Sequence, residues 1–199
     1  MDCLDAIRER RSVRSFLNRP VLPNQIQTVL EAAILAPSAR NLQPWRFHVY
    51  LNAEEIAKLS RQVKDWLFGL PIDEPFASPM HAVLNSPDYK VFYDAPALIL
   101  VIAADTTAQS TQDCCLAAEN LMLAARSIGL GSAWVGTSIP WFQREETKRS
   151  LQIPLTTMVV APIVLGYPLT WPTCPERRPP DVRWCCLSEE EYENTGDPH

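Results

Sequence analysis

The chain has 199 residues, 47% of them hydrophobic and 21% charged, the balance of one globular domain with a core large enough to need no disulfide or metal staple. With 18 Lys+Arg against 23 Asp+Glu the formal net charge is −5, which argues against a general binder of nucleic acid or anionic membrane. The longest unbroken apolar run, residues 97–104, is too short to cross a bilayer, and the opening Met-Asp-Cys-Leu-Asp-Ala lacks the regions of a secretion signal.

Residues 2–11 read as a short helix with Asp2 as its N-cap. A second helix starts near Pro23, a residue suited to a first turn, and ends by Pro37. Its Ile26, Val29, Leu30, Ala33 and Ile34 fall on one helical stripe. Trp45, Phe47, Val49 and Leu51 then alternate with Arg46, His48 and Tyr50, the period of a strand with one buried face. Helical spacing returns over residues 53–68 through Ile56, Leu59, Val63, Trp66 and Leu67. From Gly69 to Tyr93 the period dissolves around Pro71, Pro75, Pro79 and Pro87, with Phe76, Met80 and Tyr89 between them. A connection that long is either a lid or binding loop, or a plain insertion.

The apolar run 97–104 predicts a central strand covered on both faces. Residues 111–127 predict a long helix. Its Cys114, Cys115, Ala117, Ala118, Ala124 and Ala125 are small enough for another helix to approach closely, and Gly129 suits its end. Residues 132–135 predict a strand, 142–151 a helix and 158–165 a strand. Pro162 cannot donate to a ladder, so the last strand is expected at an edge or with a bulge there. Beyond Gly166 the prolines 168, 172, 175, 179 and 180 leave only an extended arm, and Glu189, Glu190, Glu191, Glu193 and Asp197 mark a solvated acidic tail. Helices and strands mix without strict alternation, which gives an α+β fold.

Four segments concentrate polar chemistry. Arg8, Arg10, Arg11, Arg14 and Arg19 are five of 14 arginines, all within the first 19 residues. Their forks, with Ser12, form an anion site for a phosphate-bearing ligand, a solvated basic face or a nucleic-acid patch. The loop from Pro37 to Trp45 brackets Ser38, Asn41 and Gln43 between prolines, and reads as a ligand-facing loop or a capped turn. Gly129, Gly131 and Gly136 do not fit a dinucleotide fingerprint, because the spacing is wrong and they follow a helix. They read as a helix cap and a strand whose end exposes backbone, with Gly136 permitting close approach of a ring. Arg177 and Arg178 place two more forks on the stiff arm. The six cysteines include no C-x-x-C and read as reduced, structural thiols of a cytoplasmic protein. No Walker loop, G-x-S-x-G or H-E-x-x-H occurs, so catalysis would reside in a cofactor.

Taken in order, these segments resemble the FMN-dependent nitroreductase family. The matching motifs are R-R-S-x-R at 10–14, P-S-x-x-N-x-Q-P-W-x-F at 37–47 and D-A-P at 94–96. A D-x-x-x-A-x-x-N-x-x-L-A-A helix and G-L-G-S-x-W-x-G turn follow over 113–136, then G-Y-P at 166–168 and R-R-P at 177–179. The resemblance covers about residues 1–184. It leaves 60–93 as a variable lid or insertion and 185–199 as the acidic tail. It implies an α+β sandwich with a mostly antiparallel sheet between helices, assembled as an intertwined homodimer with FMN at the interface. Arg10, Arg11, Ser12 and Arg14 would bind FMN, and Arg177 and Arg178 would close on its phosphate. Pro37, Ser38, Ala39 and Asn41 would come from the partner chain. Val135, Gly136 and Thr137 would lie by the flavin ring, whose N5 would carry the chemistry without a catalytic side chain or a metal. The implied reaction is ping-pong: hydride from NADH or NADPH passes through the flavin to an electron-poor acceptor such as a nitroaromatic or quinone. Ene-reduction, reductive dehalogenation, benzimidazole synthesis and flavin storage or sensing are the alternatives. Neither nucleic acid nor a membrane is an expected partner.

Overall fold

The computed structural model describes residues 1–71, 81–183 and 185. Helix α1 (Cys3–Glu9) begins where the Asp2 carboxylate accepts the Asp5 N–H at 2.8 Å. It ends two residues short of the predicted boundary, because Arg10 is already extended. Helix α2 (Pro23–Ala33) has proline in its first turn, and Gln25 Oε1 reaches back to accept the Leu22 N–H at 3.1 Å. Helix α3 (Ala53–Phe68) is capped by Asn52, whose side chain accepts from the Glu54 and Glu55 N–H groups. Helix α4 (His81–Leu84) is a single turn.

The long helix α5 (Ala108–Ser127) starts one turn before the hydrophobic pattern shows it. Residues 108–110 carry no apolar stripe; local capping builds that turn. Thr107 accepts the Ser110 N–H, and Asp105 accepts from the Thr107 N–H, the Thr107 hydroxyl and the Ser110 hydroxyl. Gly129, at φ 80, closes the helix as expected, with the Leu130 N–H returning to the Ala125 carbonyl at 2.8 Å.

Strands β1 (Trp45–Tyr50), β2 (Ala97–Ala103), β3 (Gly131–Trp134) and β4 (Met158–Gly166) form one sheet in the order β1-β2-β4-β3, every pair antiparallel. All seven residues of β2 are buried, as its unbroken apolar run requires. On one face Ile99, Val101, Ile163 and Leu165 pack with Val29 of α2 and Leu121 of α5. On the other, Leu98, Leu100, Ile102 and Val164 pack with Ile56 and Val63 of α3 and with Phe142. The result is a three-layer α+β sandwich.

Two expectations need correction. Residues 142–151 are not one helix but the end of α6 (Ile139–Gln143) and α7 (Glu145–Ser150). Arg144 breaks them with an extended ψ of 136°, so that Trp141 and Phe142 can turn onto the sheet. Strand β4 is not an edge: it lies between β2 and β3. A register shift does occur between Val101 and Ile102, where Val160 is the extra residue, but it is not at Pro162. A residue's N–H and C=O point to the same side of its strand, and the Pro162 carbonyl accepts the Val135 N–H at 2.8 Å. The missing Pro162 donor therefore faces the end of β3. There the Val135 carbonyl is taken instead by the Ser138 N–H and hydroxyl, which start a 3-10 turn (Gly136–Ser138). Pro162 thus ends β3 and releases the segment that carries Gly136 and Thr137.

Cys3, Cys114, Cys115, Cys174 and Cys185 are free thiols. Cys186, the rest of the acidic tail, and Pro75, Phe76, Pro79 and Met80 of the proline-rich connection lie outside the described residues.

Candidate functional site

The Arg10–Arg14 segment leaves α1 extended and is stitched to the sheet. The Val13 N–H donates to the Ser132 carbonyl at 2.9 Å, and Ser12 bridges Ser132 in parallel. Further on, Leu17 donates to the Tyr167 carbonyl and Leu169 to the Ser15 carbonyl. Two glycines admit this segment. A Cβ on Gly131 would stand 2.6 Å from Val13 Cγ2, and one on Gly166 would stand 2.7 Å from Phe16. Val13 is fully buried, so its neighbours Ser12 and Arg14 project to the opposite side of the segment.

There Arg10, Arg11, Ser12 and Arg14 line one cavity of about 360 Å³ together with Pro172, Thr173, Pro175 and Arg177 of the C-terminal arm. Four arginines are thus gathered around it. Arg10 is paired with Glu119 of α5 at 3.3 Å. Arg11 spends one Nη on the Arg10 carbonyl at 2.5 Å, while its Nε is buried without a hydrogen-bond partner among the described residues. A buried donor left unpaired is costly, so this fork is suited to an incoming acceptor. Trp171 holds the arm in place by stacking on Arg126 at 3.9 Å, and Arg126 also pairs with Glu9. Arg178 is exposed and does not line the cavity.

The loop after α2 carries strain. Arg40, Asn41 and Gln43 have φ of 52°, 56° and 47°. Left-handed non-glycine residues of this kind cost on the order of 1 kcal/mol each, with Asn the most tolerant. Local bonds fix the shape: Ser38 Oγ accepts the Gln43 N–H, Asn41 Oδ1 accepts from Gln43 Nε2, and the Asn41 N–H donates to the Ser38 carbonyl. The 3-10 turn (Ala39–Asn41) offers its first N–H, that of Ala39, to Asp113 Oδ2 on α5 at 3.2 Å. Asn120, two turns further along the same face of α5, donates to the Ala32 carbonyl at the end of α2. Pro37, Ser38, Ala39 and Asn41 are not among the residues lining the arginine cavity of their own chain, nor are Val135, Gly136 and Thr137. Gly136 is exposed, and a Cβ there would meet nothing within 4 Å, so packing within the chain does not explain the glycine.

Burial, and then the Tyr93 phenol, push the Tyr89 hydroxyl up to about 12, with the Arg14 guanidinium pulling the other way. Burial likewise pushes the Cys114 thiol up to about 12, which makes it a packing residue and no nucleophile. No helix of the described residues is long and apolar enough to cross a membrane. Sequence reasoning missed Glu119, Trp171, Gln109 and the anchoring role of Asp113. A lone acidic residue on a face of small buried residues was the available signal for Asp113.

A family model described as the nitroreductase family matches residues 7–167. A protein of Archaeoglobus fulgidus, provisionally named an NADH dehydrogenase/NAD(P)H nitroreductase, is 36% identical over 84% of this chain and 86% of its own. A nitrobenzene nitroreductase of Ectopseudomonas oleovorans is 28% identical over 82% of this chain and 85% of its own. Among solved structures, a nitroreductase with bound FMN from Desulfitobacterium hafniense superposes with a TM-score of 0.76 at 28% identity, covering 92% of this chain and 98% of that one. The ordered motifs, the three-layer sandwich and these likenesses agree: the chain belongs to the nitroreductase family.

Proposed function

We propose that the protein is an FMN-dependent oxidoreductase that takes hydride from NADH or NADPH and reduces an electron-poor acceptor such as a nitroaromatic or quinone. The observation that carries this reading is the cavity ringed by Arg10, Arg11, Arg14 and Arg177, with Ser12 as a neutral donor and a buried, unpaired Arg11 Nε. Guanidinium forks in that number suit a phosphate monoester. The FMN-bound relative and the relative named for NAD(P)H support the choice of flavin and donor.

When bound, FMN would supply two-electron redox chemistry. The protein's own part is binding and orientation. Arg10, Arg11, Ser12, Arg14 and Arg177 would hold the phosphate end, with Arg178 beside them on the arm. Gly136 and Thr137 would lie by the ring, where the absent Cβ of Gly136 leaves room for a flat group, while Val135, buried in the core with its N–H and C=O both bonded, would only position them. Pro37, Ser38, Ala39 and Asn41 are held apart from their own chain's cavity and serve the site of a second copy, so the working unit is a homodimer.

The test is NADH and NADPH oxidation by FMN-loaded protein with nitrobenzene or a benzoquinone as acceptor. Acceptor-dependent turnover that Arg11→Met and Arg14→Met weaken through loss of bound flavin supports the reading. A flavin-loaded protein that oxidises neither donor refutes it.

A further inference from the structure

Asp113 is the one acidic side chain fully buried among the described residues, at 3% exposure. A buried carboxylate is costly unless it is well hydrogen-bonded. Its partners are both neutral and both specific: Oδ2 accepts the Ala39 N–H at 3.2 Å and Oδ1 accepts from Gln109 Nε2 at 2.9 Å. Ala39 opens the 3-10 turn, so its N–H has no partner within that turn. Asp113 therefore caps the strained loop from another element, across 74 residues of sequence. The left-handed residues Arg40 and Asn41 follow at once, and such strain persists only where surrounding contacts over-determine it. An apolar residue would pack in α5 as well, so stability of the helix does not explain a carboxylate here.

We propose that Asp113, oriented by Gln109, is the positioning residue that holds the 37–41 loop in its flavin-binding shape. The proposal rests on the FMN reading above. It assigns Asp113 no contact with the cofactor: the carboxylate acts through the Ala39 N–H on Ser38 and Asn41. What matters is an acceptor at this point, not a negative charge. Asp113→Asn keeps that acceptor. Its amide oxygen can take the Ala39 N–H while its NH₂ donates to Gln109, whose own amide need only turn over.

The experiment pairs two readouts on the full-length protein: amide hydrogen exchange over residues 38–43 without flavin, and the dissociation constant for added FMN. Asp113→Ala and Gln109→Ala should both speed exchange. Asp113→Ala should weaken FMN about 10- to 100-fold, the scale for leaving a partly buried backbone donor without its acceptor, with Gln109→Ala smaller in effect. Asp113→Asn should restore both towards wild type. Gln109 is exposed, so its variant tests the idea even if Asp113→Ala fails to fold. Unchanged exchange in the variants overturns the anchoring role. Faster exchange with wild-type FMN affinity overturns the link between the loop and the cofactor, while leaving the FMN reading intact. An Asp113→Asn variant as weak as Asp113→Ala shows that charge matters and overturns the acceptor argument. A wild-type protein that binds no FMN refutes the flavin reading itself, and with it the functional half of this proposal.

Discussion

Adding one methyl group to Gly131 and one to Gly136 should have opposite effects on stability. At Gly131 a Cβ would lie 2.6 Å from Val13 Cγ2, 2.8 Å from Val13 Cβ and 2.8 Å from Pro168 Cγ. Neither neighbour is free to give. Val13 is fully buried and its N–H is bonded to Ser132, and Pro168 is a rigid ring bridged to Phe16. Overpacking of this kind costs about 1–3 kcal/mol, and each kcal/mol moves Tm by roughly 2–4 °C in a chain of this size, so Gly131→Ala should lower Tm by about 2–12 °C. At Gly136 a Cβ meets nothing, and the backbone is not left-handed. There the loss of unfolded-state entropy should dominate, and Gly136→Ala should leave flavin-free protein unchanged or more stable by about 0.4–1 kcal/mol. Both variants should bind FMN more weakly, the first by displacing Ser12 and Arg14 along with Val13, the second by crowding the ring. Thermal unfolding of the flavin-free protein and FMN titration separate the two effects. A Gly131→Ala protein as stable as wild type would refute the close-approach argument, and a Gly136→Ala protein with unaltered FMN affinity would remove Gly136 from the site.

Other outcomes follow from single groups. Arg11→Met preserves much of the side chain's length but removes the fork, and should weaken FMN about 10- to 100-fold with little change in flavin-free Tm; fluorescence titration reads it. Asp105 has its carboxyl held below 3.8 by the hydrogen bonds from Thr107 and then Ser110. A depressed folded value stabilises the fold above pH 3.8 and loses that contribution as pH falls through it, so Asp105→Asn should flatten the acid limb of a stability–pH curve below about pH 4. Alkylation of native protein should label the exposed Cys3 and Cys174 first and Cys114 only on unfolding, as read by peptide mass spectrometry.

The sheet and its flanking helices were legible because their signals are local and periodic. The unbroken apolar run of β2 and the stripe of α3 each specify their burial without reference to the rest of the chain. Pro162 misled because a missing donor bars a ladder on one side of a strand only. The β2 ladder runs past it, and on the other side the β3 ladder stops at Trp134 opposite Ile163, one residue short of the proline. The first turn of α5 was hidden because capping by Thr107 and Asp105, and no apolar residue, builds it. In the site, the arginines could be named from their density in the sequence. The contact of Asp113 with Ala39 could not, since it joins residues 74 positions apart through a backbone N–H that any residue supplies. Trp171 on Arg126 is equally silent in sequence, although with the Leu169–Ser15 hydrogen bond it lays the arm against the Arg10–Arg14 segment.

If the arginine cavity holds a flavin phosphate, the protein carries a chromophore. The most direct measurement is the visible spectrum of purified, dialysed protein, followed by release and identification of any chromophore. The protein should be yellow, or turn yellow on reconstitution, with stoichiometric FMN whose retention falls as salt rises and on Arg11→Met. A colourless protein that cannot be loaded with FMN would contradict the flavin reading.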